Sequence, residues 1–290
     1  MDDELLRWNS WGLIPGPDEQ EQDFRKRVDY CLNLKEHLTL DLKAYLSSEE
    51  SSSPELLAPA NDRLRTIYDI TIDWIPIFFS NHKLSFWHGG CAWIFQMTDE
   101  SPTTALIQLR SSLRYRDKYL GIYQRDELIT HELCHVGRMM FQEPHYEEFL
   151  SYRTSCSRFS RWFGPIVKSS IESVLFLLLL FVIVVFDIFL VTLQHHEAYM
   201  MALWLKMVPV ALVGCALWRL YKRHRTINRT LSHLEQWLGS SDKANCVVYR
   251  LKDSEIEAFA EMSVQEIADY AAVQVKEELR WRVITQAYKI

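Results

Sequence analysis

The chain has 290 residues, a formal net charge of −6 and 48 % hydrophobic residues. This length allows one sizeable catalytic domain with attachments, and the negative balance argues against bulk attraction to nucleic acid. The six cysteines, at 31, 91, 134, 156, 215 and 246, form no C-x-x-C pair. They fit reduced thiols facing a cytoplasm better than a disulfide framework.

The opening Met1-Asp2-Asp3-Glu4 is acidic and no apolar run follows it, so no cleavable signal peptide is expected. Residues 1–46 read as partly helical, around Phe24 to Leu38, and Ser47 to Pro54 is a linker by composition. Three strand-like runs follow, at Trp74–Phe79, Cys91–Gln96 and Ala105–Arg110, punctuated by Asn81-His82 and Gly89-Gly90. His82 and His88 in this region read as surface or packing residues.

Thr130-His131-Glu132-Leu133-Cys134-His135 carries the strongest signal. It reads H-E-x-x-H. Two histidines four apart stand one helical turn from each other and can offer two imidazole nitrogens to one zinc ion. The glutamate between them is placed to take a proton from an attacking water. A chance occurrence is expected roughly 0.03 times in a chain of this composition and length, so the motif outweighs a coincidental pair of surface histidines. The pattern predicts a helix from Asp126 to Phe141, with Ile129, Leu133, Val136 and Met140 on the packed face and the histidines opposite.

A catalytic zinc needs a third protein ligand and an open position. Pro144 is expected to end the motif helix, with a turn at Glu143-Pro144-His145. A second helical pattern then starts at Tyr146, with an apolar stripe of Phe149, Tyr152, Cys156, Phe159 and Phe163. Glu148 flanks that stripe and is the first choice for the third ligand. Glu147 reads as turned farther toward solvent, so its loss should cost little metal affinity. Glu147 and His145 stay open as alternatives. Tyr146, Tyr152 and Arg153 are candidate donors to a developing oxyanion, Tyr152 being the one assigned a catalytic role.

These residues resemble the gluzincin metallopeptidases, in which H-E-x-x-H is followed by a ligand glutamate on a later helix. Membrane-bound gluzincins of the Ste24 and HtpX type carry that glutamate in E-x-x-A-D. Glu148-Phe149-Leu150-Ser151-Tyr152 looks like a degenerate copy, with Tyr152 where the family has a supporting Asp. The short gap from His135 to Glu148 is closer to the compact minigluzincins. The resemblance covers roughly residues 85–155. It implies a small sheet before the motif helix with an edge strand that pairs with extended substrate, a place that Ala105–Arg110 would fill.

Val174–Leu193 is apolar except for Asp187 and Thr192, and Ala198–Trp218 is apolar except for Lys206. Each run is about 20 residues, enough to cross the hydrocarbon core of a bilayer. The short Gln194–Glu197 connection makes them a tight hairpin, with Trp162, Trp218 and Tyr221 as interfacial aromatics. Arg153, Arg158, Arg161 and Lys168 precede the hairpin, and Arg219, Lys222, Arg223, Arg225 and Arg229 follow it. Basic flanks on both sides place both termini in the cytoplasm. Asp187 and Lys206 fall at similar depths, roughly 9–12 Å from the loop side, and are expected to pair. Pro165 should stop or bend the chain just before the first span.

Val247–Leu251 reads as a further strand, and Asp253–Ile290 as helices broken near Met262-Ser263. Gln265-Glu266-Ile267-Ala268-Asp269 is a second E-x-x-A-D look-alike, which keeps Glu266 as a rival ligand. It also forms a capping box with Ser263, the reading preferred here.

The resulting expectation is an α+β fold: a mainly helical zincin-like catalytic domain with a small sheet, plus a two-helix transmembrane hairpin. Its parts are an N-terminal extension and linker (1–60), the catalytic domain (61–170), the hairpin (171–218) and a C-terminal cytoplasmic helical segment (219–290). The expected activity is a membrane-anchored, zinc-dependent endopeptidase. His131, His135 and Glu148 are its Zn2+ ligands and Glu132 its general base. Its partners are a protein or peptide substrate and the bilayer through residues 174–218, with no nucleic acid. The alternative is a non-catalytic hairpin protein, resembling inclusion-membrane proteins, with a structural or relic zinc site.

Overall fold

Helices dominate the chain, and one small sheet stands before the motif helix. The structure, a computed structural model, describes residues 2–37, 54–121, 123–166, 170–193 and 196–290. The serine-rich linker at 47–53, Lys168 and the loop residues Gln194 and His195 lie outside the described residues.

The N-terminal helices are α1 (Asp2–Ser10), α2 (Glu21–Leu32), α3 (Leu34–His37) and α4 (Pro54–Tyr68). Three strands follow, β1 (Ile77–Phe79), β2 (Gly90–Phe95) and β3 (Thr104–Leu109), close to the runs expected from sequence. Their order is β1-β3-β2. β3 runs parallel to β1, with Ile77 opposite Ile107, and antiparallel to β2, with Ala92 opposite Ile107. The expectation that Ala105–Arg110 forms the edge is therefore corrected. β3 is central and every residue in it is buried, whereas β2 is half exposed and leaves one edge free. A two-stranded hairpin, β4 (Lys118–Tyr119) and β5 (Tyr123–Gln124), leads into the motif helix.

The motif helix α5 spans Arg125–Gly137. Ile129, Leu133 and Val136 are fully buried, as their spacing predicts. The helix ends a turn early, and Met139 rather than Met140 reaches the core. Pro144 does not end this helix. It opens the next, α6 (Pro144–Tyr152), where its missing N–H is not needed. The expected long second helix is also broken. After a turn, α7 (Arg158–Phe163) leaves Cys156, Phe159 and Phe163 exposed, so the buried stripe stops at Phe149 and Leu150. Pro165 then sits in a kink with φ −81° and ψ 20°.

Among the described residues, two helices are long and apolar enough to cross a membrane, Ile171–Thr192 and Leu203–Leu238. The first belongs to α8 (Ser170–Thr192). The second arm begins with α9 (His196–Ala202) and a 3-10 turn at Leu203–Lys206, before α10 (Met207–Leu238). Pro209 accounts for the change, since it offers no N–H to the carbonyl four residues earlier. Lys206 Nζ lies 2.8 Å from the Asp187 carboxylate, so the expected pair forms across the two arms.

α10 continues well past Trp218. Leu220, Ile227, Thr230 and Leu234 keep helical spacing and pack against the C-terminal helices α11 (Ser241–Tyr249), α12 (Asp253–Phe259) and α13 (Val264–Glu277). α14 (Leu279–Tyr288) completes the chain. The strand expected at Val247–Leu251 is thus helical. Ser240 caps α11, and Val247, Val248 and Tyr249 are buried by tertiary packing, which outweighs their β preference. One buried core draws on residues from Leu5 to Tyr288. Arg138, just past α5, donates to the Leu251 carbonyl at 3.1 Å. Arg250 donates to Asn9 at 2.8 Å and to the Tyr68 carbonyl at 3.0 Å. The C-terminal segment is therefore fastened directly behind the motif helix.

Candidate metal centre

His131 and His135 leave the same face of α5, and their Nε2 atoms lie 3.2 Å apart. Glu148, on the second turn of α6, faces both. Its Oε2 is 3.4 Å from His131 Nε2, and its Oε1 is 3.5 Å from His135 Nε2. His131, His135 and Glu148 thus form a group whose ligand atoms all lie within 4.8 Å of one another, able to hold a metal ion.

Glu147 does not turn toward solvent as its helical position suggested. Its Oε1 accepts from His135 Nδ1 at 2.9 Å, and its side chain is less exposed than that of Glu148, 21 % against 41 %. The bond fixes the proton on Nδ1 and leaves Nε2 to face the cluster. The other rivals fall away. His145 is 3.9 Å from Glu257 and stands outside the group. Glu266 accepts from the Ser263 N–H at 2.7 Å in the capping box that starts α13.

The cluster has a strongly negative field. Burial by itself would make His135 harder to protonate. The hydrogen bond to Glu147 and the charges of Glu148 and Glu132 outweigh this and raise its pKa to about 9. Burial likewise opposes ionisation of Glu148, yet the bond to His131 and the nearby His135 hold its carboxyl down at about 2. The carboxylates of Glu132, Glu147 and Glu148 gathered around the two imidazoles favour a divalent cation as well.

Glu132 is buried, and its Oε2 accepts from the Ala92 N–H of β2 at 2.7 Å. The free edge of the sheet is thereby pinned to the motif helix. Tyr152 packs edge-on against His131, with ring centroids 4.7 Å apart. On its other side is Gly164, where a Cβ would stand 2.2 Å from the Tyr152 ring. Burial first, then Glu148, Tyr123 and Glu132, push the Tyr152 hydroxyl up to about 12, so it remains a donor at neutral pH. Tyr146 is turned elsewhere, toward Glu257, and Arg153 donates to Asn245.

His131, Glu132, His135, Glu147, Glu148 and Tyr152 all face a cavity of about 900 Å³. One wall is the β2 edge from Gly90 to Ala92. Another is built from Ser173, Val174 and Leu177, the opening turns of α8. Cys91 lines the cavity as well, but burial, with Glu132 and Glu148, pushes its thiol up to about 11, so it stays protonated. Sequence reasoning missed Cys91 and the Ala92 N–H, to which only the edge position of β2 could have pointed, and the bond between Glu147 and His135, for which no local pattern gives a signal. No protein family, curated protein or solved structure matches this chain.

Proposed function

We propose that the chain is a membrane-anchored zinc metallopeptidase of gluzincin type. The observation that carries this reading is a pair of imidazole Nε2 atoms 3.2 Å apart, straddled by the Glu148 carboxylate with Oε2 3.4 Å from His131 and Oε1 3.5 Å from His135, beside Glu132. One ligand atom from each of the three residues lies within 4.8 Å of the others, close enough to converge on a single ion with N and O ligands. Two imidazoles and one carboxylate also leave a fourth position open, as catalytic zinc sites do.

Zinc bound there would polarise a water and the scissile carbonyl. The chain's own residues supply the rest. His131 and His135 present Nε2, the second oriented by Glu147. Glu132 commits one oxygen to Ala92 and takes the proton of the attacking water on the other, then passes it to the leaving amine. Tyr152 offers its hydroxyl to the oxyanion. The remaining free groups of β2 can align an extended peptide along the cavity. Because the first turns of α8 form part of the cavity wall, the substrate segment is one that lies close to the bilayer, with both soluble parts on the cytoplasmic side.

The non-catalytic reading draws on one observation, the engagement of Glu132 with the Ala92 N–H. One experiment separates the two. The full-length protein is purified, its zinc content measured, and cleavage of a membrane-anchored reporter followed. Glu132→Gln should keep about one zinc per chain and lose cleavage by 10²-fold or more, of the order expected for a general base. Glu148→Ala should lose the zinc. Undiminished cleavage by Glu132→Gln, or zinc retained by Glu148→Ala, would overturn the proposal.

A further inference from the structure

Beside the cavity mouth the surface changes character. Phe86 is 68 % exposed, Leu120 53 %, and Trp87 and Tyr123 about two-fifths each. These four come from two segments, the loop before β2 and the β4–β5 hairpin, which are locked together. The Tyr119 hydroxyl donates to the Phe86 carbonyl. Arg110 lies over the Tyr119 ring at 4.9 Å and donates to the His88 carbonyl at 3.0 Å. The exposed side chains therefore stand on a fixed rim.

The tip of the hairpin is unusual for a water-facing turn. Leu120 has φ +52°, a region costly for a bulky residue, and Gly121 follows at φ +71° with open space around it. An apolar residue strained into this position gains nothing from water. The segment leading to it is basic, with Arg110, Arg114, Arg116 and Lys118 against the single acid Asp117, in a chain whose net charge is −6.

The cavity fixes the level of this rim. Trp87 and Tyr123 line it together with Ser173, Val174 and Leu177 of α8. Glu172 is the last charged residue before the apolar run, so Leu177 lies about 7 Å beyond it along the helix, inside the hydrocarbon boundary. A rim that shares one cavity with Leu177 cannot stand far above the headgroups. Aromatic rings at such a level and cations beside them are the chemistry of a bilayer interface carrying anionic lipid.

We infer that the Phe86–Trp87 loop and the β4–β5 hairpin form a third membrane contact, with Leu120 dipped into the interface beside the first span. The contact turns the cavity mouth toward the lipid. It rests on the reading of α8 as a membrane span.

The test uses the full-length protein in phosphatidylcholine–phosphatidylglycerol vesicles. An environment-sensitive fluorescent amino acid is placed at Leu120, at Leu178 within the span, or at Asp23 on α2. Each is challenged with aqueous iodide and with lipids carrying a nitroxide near the headgroup or along the chain. Position 178 should be quenched by chain nitroxide and protected from iodide. Position 23 should show the reverse. Position 120 should be quenched by the shallow nitroxide and protected from iodide severalfold relative to position 23. If position 178 behaves in this way but position 120 is as open to iodide as position 23, the third contact is wrong and the span stands. If position 178 is open to iodide, both fall. Protection of position 120 without quenching by lipid would mean that a polypeptide covers the rim, which also overturns the inference.

Discussion

Glu147 and Glu148 are chain neighbours that address the same histidine from opposite sides. Glu147 Oε1 takes the Nδ1 proton of His135 at 2.9 Å, and Glu148 Oε1 stands 3.5 Å from its Nε2. One residue aims the imidazole and the other faces the same candidate metal position.

Glu147→Ala should therefore weaken metal binding by about 10–100-fold, the usual effect of losing an outer-shell partner, although the donor group itself is intact. Glu147→Gln keeps an acceptor for Nδ1 and should lose less. Competition with a chromophoric zinc chelator measures both. Unchanged affinity in Glu147→Ala would show that the His135 ring is held by packing alone.

Gly164→Ala should displace Tyr152, because the new Cβ would lie 2.2 Å from its ring. The expected cost is about 1–3 kcal/mol of stability, typical of overpacking, with metal content kept and cleavage reduced. Tyr152→Phe removes only the hydroxyl. Under the proposed mechanism it lowers kcat while leaving the thermal midpoint close to that of the parent. Full kcat in Tyr152→Phe would remove the hydroxyl from the mechanism.

Asp253 caps α6 from the C-terminal segment, accepting from the N–H of His145 at 2.8 Å. Burial raises its carboxyl from 3.8 to about 6, opposed by Arg138 and reinforced by Glu143. The folded protein thus holds this proton more tightly than the unfolded chain. The group adds stability as pH falls from about 6 toward 3.8, and that contribution is lost as pH rises through 6. Asp253→Asn retains an acceptor for the cap and removes the ionisation. Its thermal midpoint in detergent should match or exceed the parent's at about pH 8. The parent's slope between about pH 4 and 6 should flatten. An unchanged slope would show that Asp253 is not the group that titrates in this window, and a lower midpoint at about pH 8 would show that α6 needs the charge.

The hairpin reading gives a topology test. A membrane-impermeant thiol reagent added outside intact cells should label a cysteine placed at Glu197 and spare one placed at Arg225. Labelling of both, or of neither, would contradict two spans with cytoplasmic termini.

What the sequence disclosed followed the range of the interactions involved. The packed face of α5 was legible because Ile129, Leu133 and Val136 repeat within one helix. The Asp187–Lys206 pair was legible because a short connection leaves the two arms little choice of register. The order of the strands was not, since β1 joins β3 across a crossover that no local pattern records. Helical position pointed to Glu148 but misjudged Glu147 as turned to solvent, because both can reach α5 and the difference lies in which imidazole nitrogen each meets. The strand expected at Val247–Leu251 failed because burial of Tyr249 beside Cys134, 115 positions away, decided the local conformation. The continuation of α10 was hidden by a change in composition. Hydropathy falls after Trp218, but the spacing of Leu220, Ile227 and Leu234 does not change.

That continuation has a mechanical consequence. α10 runs unbroken for 32 residues, about 48 Å at 1.5 Å per residue. On the membrane-span reading it is a strut with one end in the bilayer and the other wedged among α11, α12 and α13, with no hinge between. A span that is too long for its bilayer tilts to fit. Tilt at one end of a rigid strut must swing the other, and α11, packed against that end, is tied to the motif helix where the Tyr249 hydroxyl donates to the Cys134 carbonyl at 2.7 Å. Under the proposed function, the thickness of the surrounding membrane would then set the attitude of the candidate metal site toward substrate, and lipid chain length would control turnover.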